Sequence, residues 1–155
     1  MRKPCPGFTL VELLVVASIM AILFSLSIAY YNQFNRAQIL NQAVLELKNN
    51  LRLAQSMASA GEKPQPPLYV CNSLGGYQIT FSANLYRIRA KCGDILAGTE
   101  KVFNLPPAVV FQPVPSPILF KVLARGVDGA GTISLSAPTF GISKAVIVTS
   151  TGEIR

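Results

Sequence analysis

At 155 residues, with 50% hydrophobic and only 14% charged residues, the chain has room for one domain and an appendage rather than two catalytic domains, and part of it is expected in lipid. It contains no histidine and no tryptophan, which excludes His-dependent triads and His-containing zinc sites. Its acids (Glu12, Glu46, Glu62, Asp94, Glu100, Asp128 and Glu153) are scattered singly, so no close-spaced pair suggests acid–base catalysis or a magnesium or calcium cage, and the formal charge of +7 is basic without being extreme.

The chain opens Met1-Arg-Lys-Pro-Cys-Pro-Gly7, a short basic segment, and turns apolar at Phe8. Positive charge ahead of an apolar run retains that end in the cytoplasm. From Leu13 to Tyr31 no residue carries a formal charge, and about 20 apolar residues rising 1.5 Å each span a hydrocarbon core. A secretory signal would be cut after such a run at a small-residue pattern, whereas this run is too long for one and continues into a polar helix. Glu12 is a lone carboxylate at the mouth of the run, and an ionisable group inside a spanning helix costs roughly 2.5 to 3.5 kcal/mol, so it calls for a partner.

The segment Gly7-Phe-Thr-Leu-Val-Glu12-Leu-Leu-Val-Val resembles, nearly residue for residue, the N-terminus of type IV pilins and type II secretion pseudopilins. The resemblance implies that a prepilin peptidase in the inner membrane cuts after Gly7 and N-methylates Phe8, leaving Glu12 as the fifth residue of the mature chain. Arg2, Lys3 and Cys5 would be lost with the leader, and the charge would fall from +7 to +5. It also implies that the ammonium of Phe8 and the carboxylate of Glu12 neutralise each other between neighbouring subunits and set their axial stagger. Within one helix the two groups lie one turn apart, so spacing by itself leaves an intramolecular pair open.

Beyond Asn32 polar residues appear, yet Leu40, Val44, Leu47, Leu51, Ala54 and Ala58 recur at steps of four and three, a continuous apolar stripe, with Arg36, Glu46, Lys48, Asn50 and Gln55 off it. With no helix breaker between Phe8 and Ala60, one helix of about fifty residues is expected, capped by Gly61 and stopped by the prolines of Glu62–Pro67. The resulting organisation is a leader over 1–7, a membrane segment over 8–31, an amphipathic continuation over 32–61, a Pro-rich linker over 62–67 and a β-rich head over 68–155.

In the head, candidate strands are Tyr69–Asn72, Tyr77–Ser82, Leu85–Cys92, Lys101–Leu105, Val109–Gln112, Ile118–Ala124, Thr132–Ser136 and Ala145–Ser150, with a hairpin turn at Ser82-Ala-Asn84 and a short return strand after Gly152. Gly126, Gly129 and Gly131 bracket Asp128 in a turn without the Gly-Lys-Ser/Thr ending of a phosphate loop. Pro113, Pro115 and Pro117 read as a stiff connection or bulged edge. By pattern alone the head resembles H-type minor pseudopilins of type II secretion, or pilin-like proteins of DNA uptake.

Cys71 and Cys92 are the natural disulfide in an oxidising compartment, against two free buried thiols; two thiolates without histidine do not make a metal site. Arg87, Arg89 and Lys91 alternate along one strand, so they share a face opposite Tyr86, Ile88 and Ala90. A solvated strand face that discourages edge pairing is favoured there over contact with DNA phosphates, to which Lys101, Lys121 or Arg125 could add.

The expected molecule is therefore an α+β protein, a long N-terminal helix packed on a small, mainly antiparallel β-sheet head, without a cofactor or catalytic residues. Its expected role is a minor pilin or pseudopilin of a type IV pilus or type II secretion filament, serving secretion or surface attachment. Its partners would be the inner membrane, other pilins and the prepilin peptidase, with the head in the periplasm or outside the cell. The alternative is a DNA-binding pilin-like protein of natural transformation.

Overall fold

The computed structural model describes residues 9–64 and 71–155, without the side chains of 26–30 and 33. One helix, α1, runs Leu10–Ala60, uninterrupted because no Gly or Pro falls inside it. It ends in the two-bond closure typical of a glycine stop: the Glu62 N–H donates to the Met57 carbonyl and the Gly61 N–H to the Ala58 carbonyl, each at 3.1 Å, with Gly61 at φ +65°. The chain divides into two compact units, one up to Ala37 and one from Gln38 to Arg155.

The first unit, taken by itself, is helix with its described side chains exposed, from Leu10, Val11, Leu13 and Leu14 through Ile19, Leu23 and Phe24 to Tyr31 and Phe34. Ser18 and Ser25 do not interrupt the apolar surface. The Ser18 and Ser25 hydroxyls donate to the Val15 and Ile22 carbonyls at 2.8 Å, so their polar groups are satisfied within the helix. Among the described residues no helix is long and apolar enough to cross a membrane.

Among the described residues the second unit contains eight strands: β1 Leu74–Ser82, β2 Leu85–Cys92, β3 Ile95–Asn104, β4 Val110–Phe111, β5 Ile118–Lys121, β6 Val127–Asp128, β7 Gly131–Ala137 and β8 Ile142–Val148. They form an antiparallel five-stranded sheet of order β3-β2-β1-β5-β6 and a three-stranded sheet of order β4-β7-β8. The α+β architecture, a long helix packed on antiparallel sheet, is the one expected from the sequence.

Period-two alternation places the core. Tyr77 pairs with Ala90, Ile79 with Ile88 and Phe81 with Tyr86 across the two-residue turn Ala83–Asn84, and these side chains face the helix. All six stripe residues of α1 from Leu40 to Ala58 are buried in the same cluster, with Ala43 added. Phe111 of the smaller sheet meets Phe81 edge-on at 5.2 Å, while Tyr86 stacks on Phe103 at 5.2 Å, so one aromatic group joins both sheets.

Several expected boundaries move. Tyr69 and Val70 lie outside the described residues, and Cys71 and Asn72 are not strand. The third strand starts at Ile95 rather than Lys101, because Gly93-Asp94 makes a tight turn back from β2; Gly93 supplies a positive φ there. The segment expected as strand to Ala124 leaves the sheet after Lys121 and makes a single 3-10 turn. The glycine-rich stretch conceals β6, which pairs Asp128 with Leu119 and Val127 with Phe120. The last long strand runs Ile142–Val148, and the return strand reduces to a bridge between Ile154 and Val148. The Pro113–Pro117 stretch is the connection from β4 to β5.

Candidate functional site

The first turn of α1 carries the residues with functional promise. Thr9 precedes the helix, and its hydroxyl oxygen accepts the Glu12 N–H at 3.3 Å while its carbonyl accepts the Leu13 N–H at 3.2 Å. Thr9 is thus the N-cap and Glu12 the third helical residue, the spacing at which an acid can also reach back to the cap's N–H. A carboxylate in the first turn also faces the positive end of the helix dipole. Exposed apolar residues surround it: Leu10 at 80%, Val11 at 70% and Leu13 at 64%. Gly7 and Phe8 lie outside the described residues.

Cys71 and Cys92 are joined by a disulfide with Cα atoms 5.6 Å apart, so the start of the head is fastened to the end of β2. Among the described residues no group of three His, Cys, Asp or Glu side chains comes together to hold a metal ion.

Arg87, Arg89 and Lys91 share the half-exposed face of β2, opposite buried Tyr86, Ile88 and Ala90. Glu100 comes between the two arginines, 3.6 Å from Arg87 Nε and 4.0 Å from Arg89 Nη1. Lys121 is engaged by Asp128 at 2.7 Å, and Lys101 lies on the helix side, where its amine meets the Met57 sulfur at 3.8 Å. The described aromatic rings of this sheet, Tyr77, Phe81, Tyr86, Phe103 and Phe120, are directed to the core, so the basic face offers no platform on which bases could stack.

Two polar contacts that the stripe pattern did not single out fix the head on the 38–60 part of the helix, and a third lies just past its end. Asn50 donates to the Tyr86 hydroxyl at 2.7 Å, and Gln55 to the Gly152 carbonyl at 2.9 Å. The Tyr77 hydroxyl donates to the Glu62 carbonyl at 2.9 Å, beside a cavity of about 230 Å³ whose lining includes Met57, Ile88, Gly98 and Lys101. Their signal in the sequence is faint: each is a single polar residue at the margin of an apolar stripe.

Against known families, one description fits the N-terminal segment: the prokaryotic N-terminal methylation motif, over residues 2–28. The chain carries a prepilin-type methylation motif. The match contains Gly7, Phe8, Thr9 and Glu12 and stops well before the head. No curated protein and no solved structure matches the chain significantly. The methylation motif accordingly points to a pilin-like structural subunit that is processed by a prepilin peptidase, and the head has only its own geometry to speak for it.

Proposed function

We propose that the protein is a minor subunit of a type IV pilus or type II secretion filament, held in the inner membrane by the first part of α1 until it is drawn into the filament. The observation that carries this reading is the placement of Glu12 in the capped first turn of α1, within the methylation motif and at the head of an exposed apolar run. Cleavage after Gly7 would free an ammonium on Phe8. In lipid that charge and the Glu12 carboxylate are each unfavourable alone and favourable together. Apolar helix faces gain little from one another in hydrocarbon, so a polar pair between subunits supplies the registry that packing alone lacks.

The test separates insertion from assembly. In the native host, Glu12→Ala should still insert in the inner membrane and lose its leader, and should be depleted from the sheared filament fraction at least tenfold. Normal incorporation of Glu12→Ala would remove the pairing mechanism.

A further inference from the structure

The outward face of β2 is organised in a way that filament assembly through α1 does not require. After Leu85 its side chains, Arg87, Arg89 and Lys91, are all cationic, and alternate residues of a strand stand about 6.6 Å apart. Their cross-strand neighbours on β1 carry no charge: Thr80 opposite Arg87, Gln78 opposite Arg89 and Gly76 opposite Lys91. On β3, Val102 lies opposite Arg87 and Leu96 opposite Lys91. The face is thus a row of cations with an uncharged border on β1 and a single acid, Glu100, on the β3 side where the register shifts.

The row is under-neutralised. Glu100 serves both arginines, but its distances of 3.6 and 4.0 Å are too long for hydrogen bonds. Among the described residues the buried Nε atoms of Arg87 and Arg89 have no hydrogen-bond partner, while the two side chains are 41% and 37% exposed. A guanidinium can take a carboxylate through two parallel hydrogen bonds, and here one carboxylate stands loosely between two guanidinium groups.

We infer that this face docks an acidic, extended segment of a different protein, with carboxylates at alternate positions. An extended chain repeats its side-chain direction every second residue, so its carboxylates match the spacing of Arg87, Arg89 and Lys91. A second copy of this chain does not supply such a segment, since no two of its acids are two residues apart. Single-stranded nucleic acid is disfavoured by the absence of outward aromatic rings noted above. Glu100 occupies the position that the incoming carboxylates take over.

The full-length chain in zwitterionic detergent, titrated into two fluorescein-labelled peptides of identical composition, tests this by anisotropy. One peptide alternates Glu with Thr; the other places all its Glu in a block. The alternating peptide should bind at least fivefold tighter, and its binding should weaken as salt is raised. Arg87→Gln with Arg89→Gln should reduce affinity at least tenfold. Glu100→Gln, which removes the internal competitor, should raise it severalfold, and this arm decides should the arginine variant melt early. Equal affinity for both peptides, no binding, or unchanged or weaker binding by Glu100→Gln would overturn the inference. So would a labelled DNA duplex that binds more tightly than the alternating peptide at the same salt.

Discussion

The Thr9 hydroxyl accepts the Glu12 N–H at 3.3 Å, so the residue that caps α1 also positions the turn bearing its lone acid. Replacing a threonine cap by Ala costs about 0.5 to 2 kcal/mol, and Ser replaces it with little loss. Thr9→Ala should therefore speed amide exchange at Glu12 and Leu13, with Thr9→Ser close to wild type. Glutamine keeps the reach-back of a capping pair but not the charge, so Glu12→Gln should leave exchange nearly unchanged while assembling as poorly as Glu12→Ala. Assembly that followed helix order rather than charge would assign Glu12 to capping alone.

Leu47 is 0% exposed and Leu45, two positions away on the same helix, is 61% exposed. Deleting a buried leucine side chain to Ala removes about 2 to 5 kcal/mol of stability, whereas an exposed position stays within about 0.5 kcal/mol. Thermal unfolding of the full-length chain should separate Leu47→Ala from Leu45→Ala by many degrees. Equal melting would mean that the stripe does not face the sheet.

The Cys71–Cys92 bond closes a separation of 21 residues. In the chain-entropy account such a closure contributes about 3 kcal/mol. Reduction, or Cys71→Ser with Cys92→Ser, should lower the denaturant midpoint accordingly, and reductant should have no further effect on the double variant. A midpoint indifferent to reductant in the wild-type protein would contradict this.

Burial above all raises the Tyr86 hydroxyl from 10.0 to about 12; the Asn50 hydrogen bond opposes this and the charge of Glu46 adds to it. The phenol's contribution is complete below pH 10. Between about pH 10 and 12 the unfolded chain ionises first, so stability falls as pH rises and the contribution is lost above about 12. Tyr86→Phe should be flatter than wild type across that window. At neutral pH it should be less stable by about 1 kcal/mol, because the Asn50 amide loses its partner.

The long helix, its stop at Gly61 and its buried stripe were legible because one period, 3.6, runs without a Gly or Pro break and ends on a glycine. Strands β1 and β2 were legible for the matching reason, period two on both sides of a short turn. β6 was not, since two residues between glycines carry no period, and it forms only because β5 offers an edge. The early start of β3 escaped because Gly98, with φ +78°, bends the strand, and pairing with β2 carries it through. In the first turn, Glu12 could be read from residue type and position, whereas its cap contact with Thr9 is a matter of geometry. Glu100 between Arg87 and Arg89 was equally out of reach, because it falls where the β2–β3 register shifts, between the pairs Ala90–Ala97 and Ile88–Lys101.

The most direct test of the account is the intact mass of the protein taken from a host that contains the prepilin peptidase. The predicted species begins at Phe8, lacks residues 1–7 and carries one added methyl group on its terminal nitrogen. A mature protein that still begins with Met1 would leave Glu12 without its ammonium partner and would contradict the account.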